Sequence, residues 1–330
     1  MSSFYVCKHI DDDLRRQSSS GGFFTALAEN VLSQGGITYG ASFSDDYRSV
    51  EHIRVKESGQ LWRLRGPKYI TSSIGNVYKE IKEQLLKKHT LVLFSGTPCQ
   101  VHGLRKFLGI EFQNLITVDL VCHGVADKRI YHYYLDLLEQ RYQSKICSLS
   151  FRDKSRSWRV PDFLVKFENG GELRESVSTN AFMRGFIQNL FLRESCSHCH
   201  FKRFTSGSDF TIGDFWGSTE IPSLAKDDVG ISVVAVHNNK AMDIFNHISP
   251  NLKNIVELNE KEAFLFNESY IKSSSLHSKR NEFYDNYSQN DFESYIDKLL
   301  YQPKDKVSFI RRCITKLKNV IRTKCAPLIH

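Results

Sequence analysis

Two cysteines three positions apart have the clearest capacity for chemistry in this sequence. Cys196 and Cys199 form a Cys-x-x-Cys motif, and a short β-type run that ends in a glycine-bounded aromatic turn follows at residues 209–217. The turn between the cysteines brings both thiols to one side, where they can bind one centre. Thiolate pairs of this kind suit iron–sulfur clusters, zinc and redox disulfides. The motif alone leaves these chemistries open, so the rest of the site must come from elsewhere in the chain.

Two more cysteines follow short apolar runs that are typical of buried strands. Residues 91–94 lead into a turn that ends in Cys99, and residues 115–121 lead directly into Cys122. A helical pattern follows each turn. Strand–turn–helix junctions place their turns at the carboxyl edge of a parallel sheet, where α/β proteins bind ligands. We therefore expect both cysteines at the same edge of one sheet.

Together these four cysteines supply the number of thiolates that an iron–sulfur cluster takes. Zinc is the alternative, with three spare imidazole ligands at His123, His198 and His200. Zinc ribbons tend to pair two Cys-x-x-Cys knuckles, however, and this sequence has one. The other four cysteines lie in no comparable turn, and we interpret them as structural: Cys7, Cys147, Cys313 and Cys325.

Two glycine-containing stretches offer surroundings for an anionic or planar ligand. Ser19-Ser20-Gly21-Gly22 leads into a helical pattern at residues 23–32, and free N–H groups at such a helix start can cradle a phosphate. The basic, aromatic loop at residues 61–73 contains Lys68 and Tyr69, which are suited to a phosphate or a flat ring. Each stretch also has a structural interpretation, as a serine N-cap with a glycine turn and as a surface loop whose aromatic residues serve the core.

Length and pattern together predict an α/β (mixed α+β) fold. A chain of 330 residues can bury a sizeable core, and no apolar run approaches the roughly 18–20 residues of a membrane span. Strand–helix units form a central sheet, and a hairpin signal at residues 169–171 marks an inserted antiparallel region. The predicted strands span residues 37–43, 50–55, 91–94, 115–121, 146–152, 162–168, 172–177 and 230–236. The predicted helices span residues 23–32, 77–86, 129–142, 182–193, 240–247 and 260–265, with another beginning near Val101.

The C-terminal end carries most of the net charge of +8. After Pro303, eight Lys or Arg residues face one Asp, so this segment carries 8 − 1 = +7. We predict one domain over residues 1–300 and a basic amphipathic helix over residues 301–330. This tail is expected either to contact an anionic membrane surface or to dock on the core. Nucleic-acid binding is disfavoured, because aromatic stacking platforms do not alternate with the basic residues. The start of the chain shows no secretion-signal pattern, which favours a cytoplasmic location.

Seven motifs in order make the chain resemble the coenzyme F420 hydrogenase/dehydrogenase beta-subunit family. They extend over about residues 4–240, or seven-tenths of the chain. The motifs are Ser19-Ser20-Gly21-Gly22-Phe23, Arg65-Gly66-Pro67-Lys68-Tyr69, Gly96-Thr97-Pro98-Cys99-Gln100, Cys122-His123-Gly124, Phe151-Arg152-Asp153-Lys154, Cys196-x-x-Cys199 and Gly213-Asp214-Phe215-Trp216-Gly217. Several are weak individually, but their ordered combination is specific.

The resemblance implies a flavin/iron–sulfur oxidoreductase that passes electrons between a [4Fe-4S] cluster, FAD and a hydride-accepting substrate. On this interpretation the cluster ligands are Cys99, Cys122, Cys196 and Cys199. The implied flavin-binding residues are Ser19, Ser20, Gly21, Gly22, Lys68, Tyr69, Thr97 and Asp214. No catalytic residue is assigned, and His123 and Asp214 are interpreted as structural hydrogen-bonding residues rather than proton relays.

Two departures from the family pattern shape the expected partners. Many relatives carry a cysteine-rich ferredoxin-like module at the N-terminus, whereas here Cys7 alone precedes the serine–glycine motif. A separate electron donor is therefore expected, either a ferredoxin-like protein or a reduced nicotinamide. Pro67, just before Lys68, stands at a position where relatives often have serine. Shorter bacterial relatives associated with polysaccharide biosynthesis imply a glycan-precursor substrate instead of coenzyme F420. The alternative function is a zinc-stabilised, non-catalytic scaffold protein in a glycan-assembly complex.

Overall fold

The computed structural model describes residues 2–87 and 89–301. The described residues fall into two units, which divide between Ser278 and Lys279. The amphipathic helix that we predict after residue 301 lies outside the described residues, so the boundary expected near residue 300 stays a prediction. Among the helices of the described ranges, none combines the length and the apolar character that a membrane crossing needs.

The described part of the first unit alternates strands and helices. Its strands are β1 (Ser3–His9), β2 (Ile37–Phe43), β3 (Val50–Val55), β4 (Ser72–Ser73), β5 (Val92–Ser95), β6 (Leu115–Leu120), β7 (Ile146–Asp153), β8 (Asp162–Phe167), β9 (Glu172–Ser176), β10 (Phe210–Asp214), β11 (Ser232–Val236) and β12 (Leu252–Leu258). Its helices are α1 (Asp12–Gln17), α2 (Phe23–Ser33), α3 (Val77–Lys87), α4 (Pro98–Leu108), α5 (Lys128–Tyr142), α6 (Ala181–Ile187), α7 (Asn239–Ile248), α8 (Glu260–Phe264) and α9 (Glu268–Ile271).

A large mixed sheet forms the centre of this unit. Within the described residues its strand order is β12-β1-β11-β10-β6-β5-β2-β3-β4. The neighbours β10, β6, β5 and β2 run parallel, whereas β11 is antiparallel to both β10 and β1. The carboxyl ends of β5, β6 and β10 therefore meet at one edge, as the sequence predicts for β5 and β6. This sheet confirms the predicted mixed α/β class.

Alternating residues of the central strands pack into layers on opposite faces of the sheet. Leu93 of β5 and Ile116 of β6 pack in a cluster with residues of α2 and α7. Their neighbours Val92 and Leu115 pack instead with residues of α3 and α4. Burying each such side chain contributes about 1.5–3 kcal/mol. Helices on both faces explain why these strands read as continuous apolar runs.

A separate antiparallel sheet, in the order β7-β8-β9, confirms the predicted inserted hairpin. Its inner face is aromatic, because Phe151 of β7 and Phe163 of β8 pack 5.8 Å apart. Tyr134 of α5 and Phe182 of α6 stack at 5.4 Å, and each lies 6.0 Å from one of these two rings. The sheet holds the end of β7, with Arg152 and the residues after it, beside the central sheet.

Two predicted helix bounds are wrong, and both differences affect the candidate site. Helix α4 begins at Pro98 rather than near Val101, because Thr97 caps it and forms a reciprocal capping box with Gln100. Cys99 therefore lies in the first helical turn instead of a preceding loop. The helix predicted over residues 182–193 ends at Ile187, since Asn189 adopts a left-handed φ of 65° that stops the helix. Strands β1 and β12 were not expected from the sequence pattern.

The described part of the second unit contains α10 (Arg280–Asn286) and α11 (Phe292–Leu300). Phe283 is fully buried, and its ring stacks on Tyr287 at 5.5 Å. The Tyr295 hydroxyl donates a 2.9 Å hydrogen bond to the main-chain oxygen of Glu282. The hydrogen bond from Tyr295 joins α11 to α10.

Candidate functional site

The four cysteines singled out by the sequence come from three segments of the first unit. Cys99 lies in the first turn of α4 and is exposed, and Cys122 follows the end of β6. Cys196 ends a short 3₁₀ turn, and Cys199 lies three residues further on. Because β5 and β6 are parallel neighbours, the first two cysteines leave the sheet at the same edge.

The structure brings these four thiols together. Burial raises the pKa of the Cys122 thiol to about 12, and the nearby thiols of Cys99, Cys196 and Cys199 raise it further. Burial also raises the pKa of Cys196, with additional contributions from Cys199 and Cys99. A Cβ placed on Gly124 would lie 3.2 Å from the Cβ of Cys196, which fixes the Cys-x-x-Cys segment against the turn after β6.

Four thiols from three segments form a donor set of the kind that iron–sulfur clusters use. The described residues contain no group of three or more His, Cys, Asp or Glu side chains placed to hold one metal ion. A tetrahedral zinc site needs sulfurs about 3.8 Å apart, because each Zn–S bond is about 2.3 Å long. A cluster in which each iron takes one cysteine spreads its ligands more widely. The assignment of these four cysteines as cluster ligands stays a prediction.

Polar contacts fix the segments that carry the cysteines. The Thr97 hydroxyl lies 3.1 Å from Sγ of Cys99. The main-chain N–H of Arg193 donates a 2.8 Å hydrogen bond to the main-chain oxygen of Val125, just before the Cys-x-x-Cys motif. After the motif, Lys202 donates to the main-chain oxygen of Cys122 at 2.7 Å. Backbone and side-chain hydrogen bonds thus hold the thiols from both directions along the chain.

The Ser19-Ser20-Gly21-Gly22 turn is built into the central sheet. The Ser20 hydroxyl donates to the main-chain oxygen of Ile231 at 2.7 Å, and the Gly21 N–H donates to the Ser232 hydroxyl at 3.0 Å. A Cβ on Gly21 would overlap the main-chain nitrogen of Ser232. Gly22 is the N-cap of α2 with a φ of 90°, and no side chain caps that helix start. An uncapped helix start can accept an anionic group, and the phosphate cradle expected here stays a prediction.

Lys154 anchors this turn from the end of the small sheet. Its Nζ donates to three main-chain oxygens, those of Arg15 at 2.8 Å, Ser20 at 2.9 Å and Val229 at 2.9 Å. The residue is 5% exposed. Burial lowers the pKa of Lys154 to about 7. One buried amino group therefore joins α1, the serine–glycine turn and the loop at Val229 at the start of α2.

The Lys68–Tyr69 loop lies against the turn that follows β6. The main-chain N–H of Ala126 donates to the main-chain oxygen of Tyr69 at 2.7 Å, and the Tyr69 ring stacks on Phe186 at 4.7 Å. Phe186 in turn packs edge-on against His123 at 5.3 Å. Lys68 Nζ donates to two main-chain oxygens within its own loop, and burial lowers the pKa of Lys68 to about 7. The loop thus places an amino group and an aromatic ring near the cysteine edge.

Asp214, at the carboxyl end of β10, sits in a polar and aromatic cluster. Its Oδ2 accepts from Arg152 Nη1 at 2.5 Å, and its Oδ1 accepts from Trp158 Nε1 at 3.1 Å. Trp158 stacks on Trp216 at 5.0 Å, and the Arg152 guanidinium lies 5.5 Å from the Trp216 ring centre. Burial by itself would lower the pKa of Arg152, but Asp214 and Tyr69 beside it raise that pKa above its usual value. Asp214 is thereby an orienting partner of Arg152.

A family model supplies the comparison that decides the relationship. The model describes the C terminus of the coenzyme F420 hydrogenase/dehydrogenase beta subunit, and it matches residues 89–262, which is just over half of the chain. The chain belongs to this family. Its relatives in the beta-subunit family are hydrogenase and dehydrogenase subunits, which indicates an oxidoreductase. The matched range contains all four converging cysteines.

Solved structures support the fold of this beta-subunit family member. A chain from the F420-reducing [NiFe] hydrogenase complex of Methanosarcina barkeri, studied by xenon derivatization, matches with a TM-score of 0.54 at 15% identity. The match covers 87% of the present chain and 91% of that chain. At this identity the likeness is evidence for the fold alone. No curated protein matches the sequence.

Three cationic residues at the site were not among the predicted site residues. Lys202 joins the Cys-x-x-Cys segment to Cys122, Lys154 anchors the serine–glycine turn, and Arg152 pairs with Asp214. Arg152 and Lys154 stand two residues apart in the beta-subunit family motif, which was a usable signal. Lys202 gave no such signal, because a lysine in a loop is ordinarily solvated.

Proposed function

We propose that this chain is an FAD- and [4Fe-4S]-dependent oxidoreductase, acting as a reductase in surface-polysaccharide biosynthesis. The observation that carries the proposal is the convergence of Cys99, Cys122, Cys196 and Cys199 at the carboxyl edge of the central sheet. A solitary buried cysteine is ordinarily a small apolar residue, but four thiols from distant parts of the sequence repel one another once ionised. A bound iron–sulfur core, which is cationic, would offset the repulsion between the four thiolates.

The chain's own residues supply distinct contributions to such a centre. The four thiolates bind the cluster, and the uncapped start of α2 at Gly22 takes the flavin diphosphate. Lys68 and Tyr69 border the flavin ring, with Thr97 and Asp214 completing the flavin-binding set at the ends of β5 and β10. When bound, FAD combines two single electrons and a proton into a hydride that can pass to a substrate.

The expected substrate and donor follow from the same proposal. We infer a glycan precursor as the hydride acceptor, and a ferredoxin-like protein or reduced nicotinamide as the separate electron donor. The proposed cofactor site is assembled from residues 19–214 and uses no residue of the basic tail. We propose that the basic tail, whose net charge is +7, makes a peripheral contact with an anionic membrane at the cytoplasmic face.

Anaerobic purification and reconstitution with iron, sulfide and FAD test this function. We expect a brown protein with about four iron atoms and about four sulfides per chain, one FAD, and an electron paramagnetic resonance signal after reduction. Single changes of Cys99, Cys122, Cys196 or Cys199 to Ser should remove the cluster signal. The matched control is Cys147→Ser, which changes an exposed cysteine of β7 in the small sheet.

Two results would count against the proposal. A reconstituted protein that holds zinc, without iron or sulfide, would favour the scaffold alternative. A cluster that survives all four single substitutions would show that the converging thiols are not its ligands. Flavin and iron are quantified separately, so the FAD assignment and the cluster assignment are tested independently.

A further inference from the structure

Lys202 occupies a special position between the cysteine segments. It lies three residues after Cys199 and is half-buried. Its Nζ donates a 2.7 Å hydrogen bond to the main-chain oxygen of Cys122 and a 2.8 Å hydrogen bond to that of Ser269 in α9. One side chain thus joins the Cys-x-x-Cys segment, the turn after β6 and a helix that packs beside them.

The charge of Lys202 acts directly on this turn. The Lys202 ammonium group lies 2.7 Å from the main-chain oxygen of Cys122, the residue that precedes His123 in the turn. Within residues 2–87 and 89–301, no carboxylate forms an ion pair with Lys202, and both of its hydrogen-bond acceptors are neutral main-chain oxygens. The positive charge beside Cys122 is not cancelled locally.

We propose that Lys202 is a positioning residue that sets the reduction potential of the cluster held by the four cysteines. The inference rests on the proposed function and deepens it. Reduction adds one electron, and hence one negative charge, to the cluster. A fixed, unpaired cation one main-chain group away from a ligand stabilises the reduced form more than the oxidised form, and thereby raises the potential. The same hydrogen bond holds Cys122 toward the Cys-x-x-Cys segment.

Potentiometric titration of the reconstituted, full-length protein tests this inference. The cluster is reduced with dithionite in the presence of mediators, and its reduced fraction is followed by visible absorbance and electron paramagnetic resonance. We expect Lys202→Gln and Lys202→Met to lower the potential enough to reduce the ratio of reduced to oxidised cluster about tenfold at a fixed poise. Lys202→Arg keeps the charge and should stay close to the unaltered protein.

Arg203→Gln is the matched control, because it removes the neighbouring cation of the same loop. The Arg203 side chain is exposed, so water and salt screen its charge, and the expected change in potential is much smaller. Iron content is measured for every variant. A purely structural role of Lys202 would change iron content and leave the potential of the remaining cluster unaltered.

The outcomes separate the inference from the proposed function. Full clusters at unaltered potential in Lys202→Gln and Lys202→Met would overturn the inference and leave the function standing. An equal fall in Lys202→Arg, or loss of iron in that variant, would also overturn it. Loss of iron in Lys202→Met with a normal cluster in Lys202→Arg supports the role of Lys202 in holding Cys122 in place. The potential of Lys202→Gln then decides whether the charge of Lys202 raises the reduction potential. An unaltered protein that binds no cluster at all would overturn the proposed function itself.

Discussion

The guanidinium of Arg152 and the carboxylate of Asp214 form a buried ion pair, with Nη1 2.5 Å from Oδ2. Their side chains are 10% and 14% exposed. Arg152→Met leaves the carboxylate buried without its cation, although Trp158 still donates to it. We therefore expect the free energy of unfolding to fall by roughly 3–5 kcal/mol, as measured by urea unfolding.

Arg156→Met provides the comparison for that prediction. Arg156 also pairs with a carboxylate, that of Asp162, but its own side chain is 63% exposed. Asp162 is buried but keeps a second cation, Arg174 Nη1 at 3.4 Å, when Arg156 is removed, so we expect a loss of about 0–1 kcal/mol. An Arg152→Met protein no less stable than Arg156→Met would contradict the importance that we assign to the buried pair.

The buried amino group of Lys154 predicts a pH dependence of stability. Burial lowers its pKa from 10.5 to about 7 in the folded state. Between these values the unfolded chain binds more protons, so the free energy of unfolding rises with pH, by at most about 1.4 kcal/mol per pH unit. Lys154→Met removes this contribution. The free energy of unfolding of the unaltered protein, minus that of the variant, should therefore rise from pH 7 to pH 9.

Urea unfolding at intervals across that pH range measures the difference. Lys68, whose pKa burial also lowers to about 7, is present in both proteins, so its contribution cancels. A difference that stays constant with pH would mean that Lys154 is not desolvated as described.

Close packing makes Gly21 sensitive to any side chain. A Cβ there would overlap the main-chain nitrogen of Ser232 and lie 2.7 Å from the main-chain oxygen of Cys7, and neither backbone atom can move cheaply. We expect Gly21→Ala to lower the free energy of unfolding by about 1–3 kcal/mol. Gly59→Ala is the control, since nothing lies within 4 Å of a Cβ at that position. Thermal unfolding that ranks the two variants equally would be the contrary result.

The cap of α4 gives a prediction close to the cysteines. The N–H and the hydroxyl of Thr97 both donate to Gln100 Oε1 at 3.0 Å, and the Gln100 N–H donates to the main-chain oxygen of Thr97 at 2.9 Å. Thr97→Val keeps the shape but loses the hydroxyl, so the free energy of unfolding should fall by about 1 kcal/mol. Thr97→Ser keeps the hydroxyl and should recover most of that loss in the same urea experiment. Equal loss in both variants would show that the cap contributes nothing.

Local pattern predicted the elements that carry the site. The apolar runs of β5 and β6 and the helices after them follow from sequence alone, because buried parallel strands and amphipathic helices have distinct periods. The start of α4 was also predictable in principle, since Thr97 and Pro98 are a regular N-cap and first helical residue. The early end of α6 was not. Leu190 and Phe191 continue the apolar spacing, while the left-handed Asn189 redirects the chain.

Non-local contacts set the limit of what the sequence reveals about the site. The positions of Lys154 and Lys202 depend on main-chain oxygens that are more than sixty residues away along the chain, such as those of Ser20, Val229 and Ser269. Main-chain oxygens are present at every residue, so no residue type marks them in advance. Strands β1 and β12 escaped prediction for a similar reason, because their pairing partners are distant in sequence.

Strand β1 runs between β11 and β12, with Phe4 opposite Ala235 on one side and Leu258 on the other. During translation, β1 is synthesised more than two hundred residues before β11 and β12. Its backbone N–H and C=O groups can pair with these strands only after that further length of chain has been made. Closure of the central sheet is therefore a late event, which falls after all four cysteine positions have emerged. Iron that is inserted during translation would therefore bind those thiols before β1 pairs with β11 and β12.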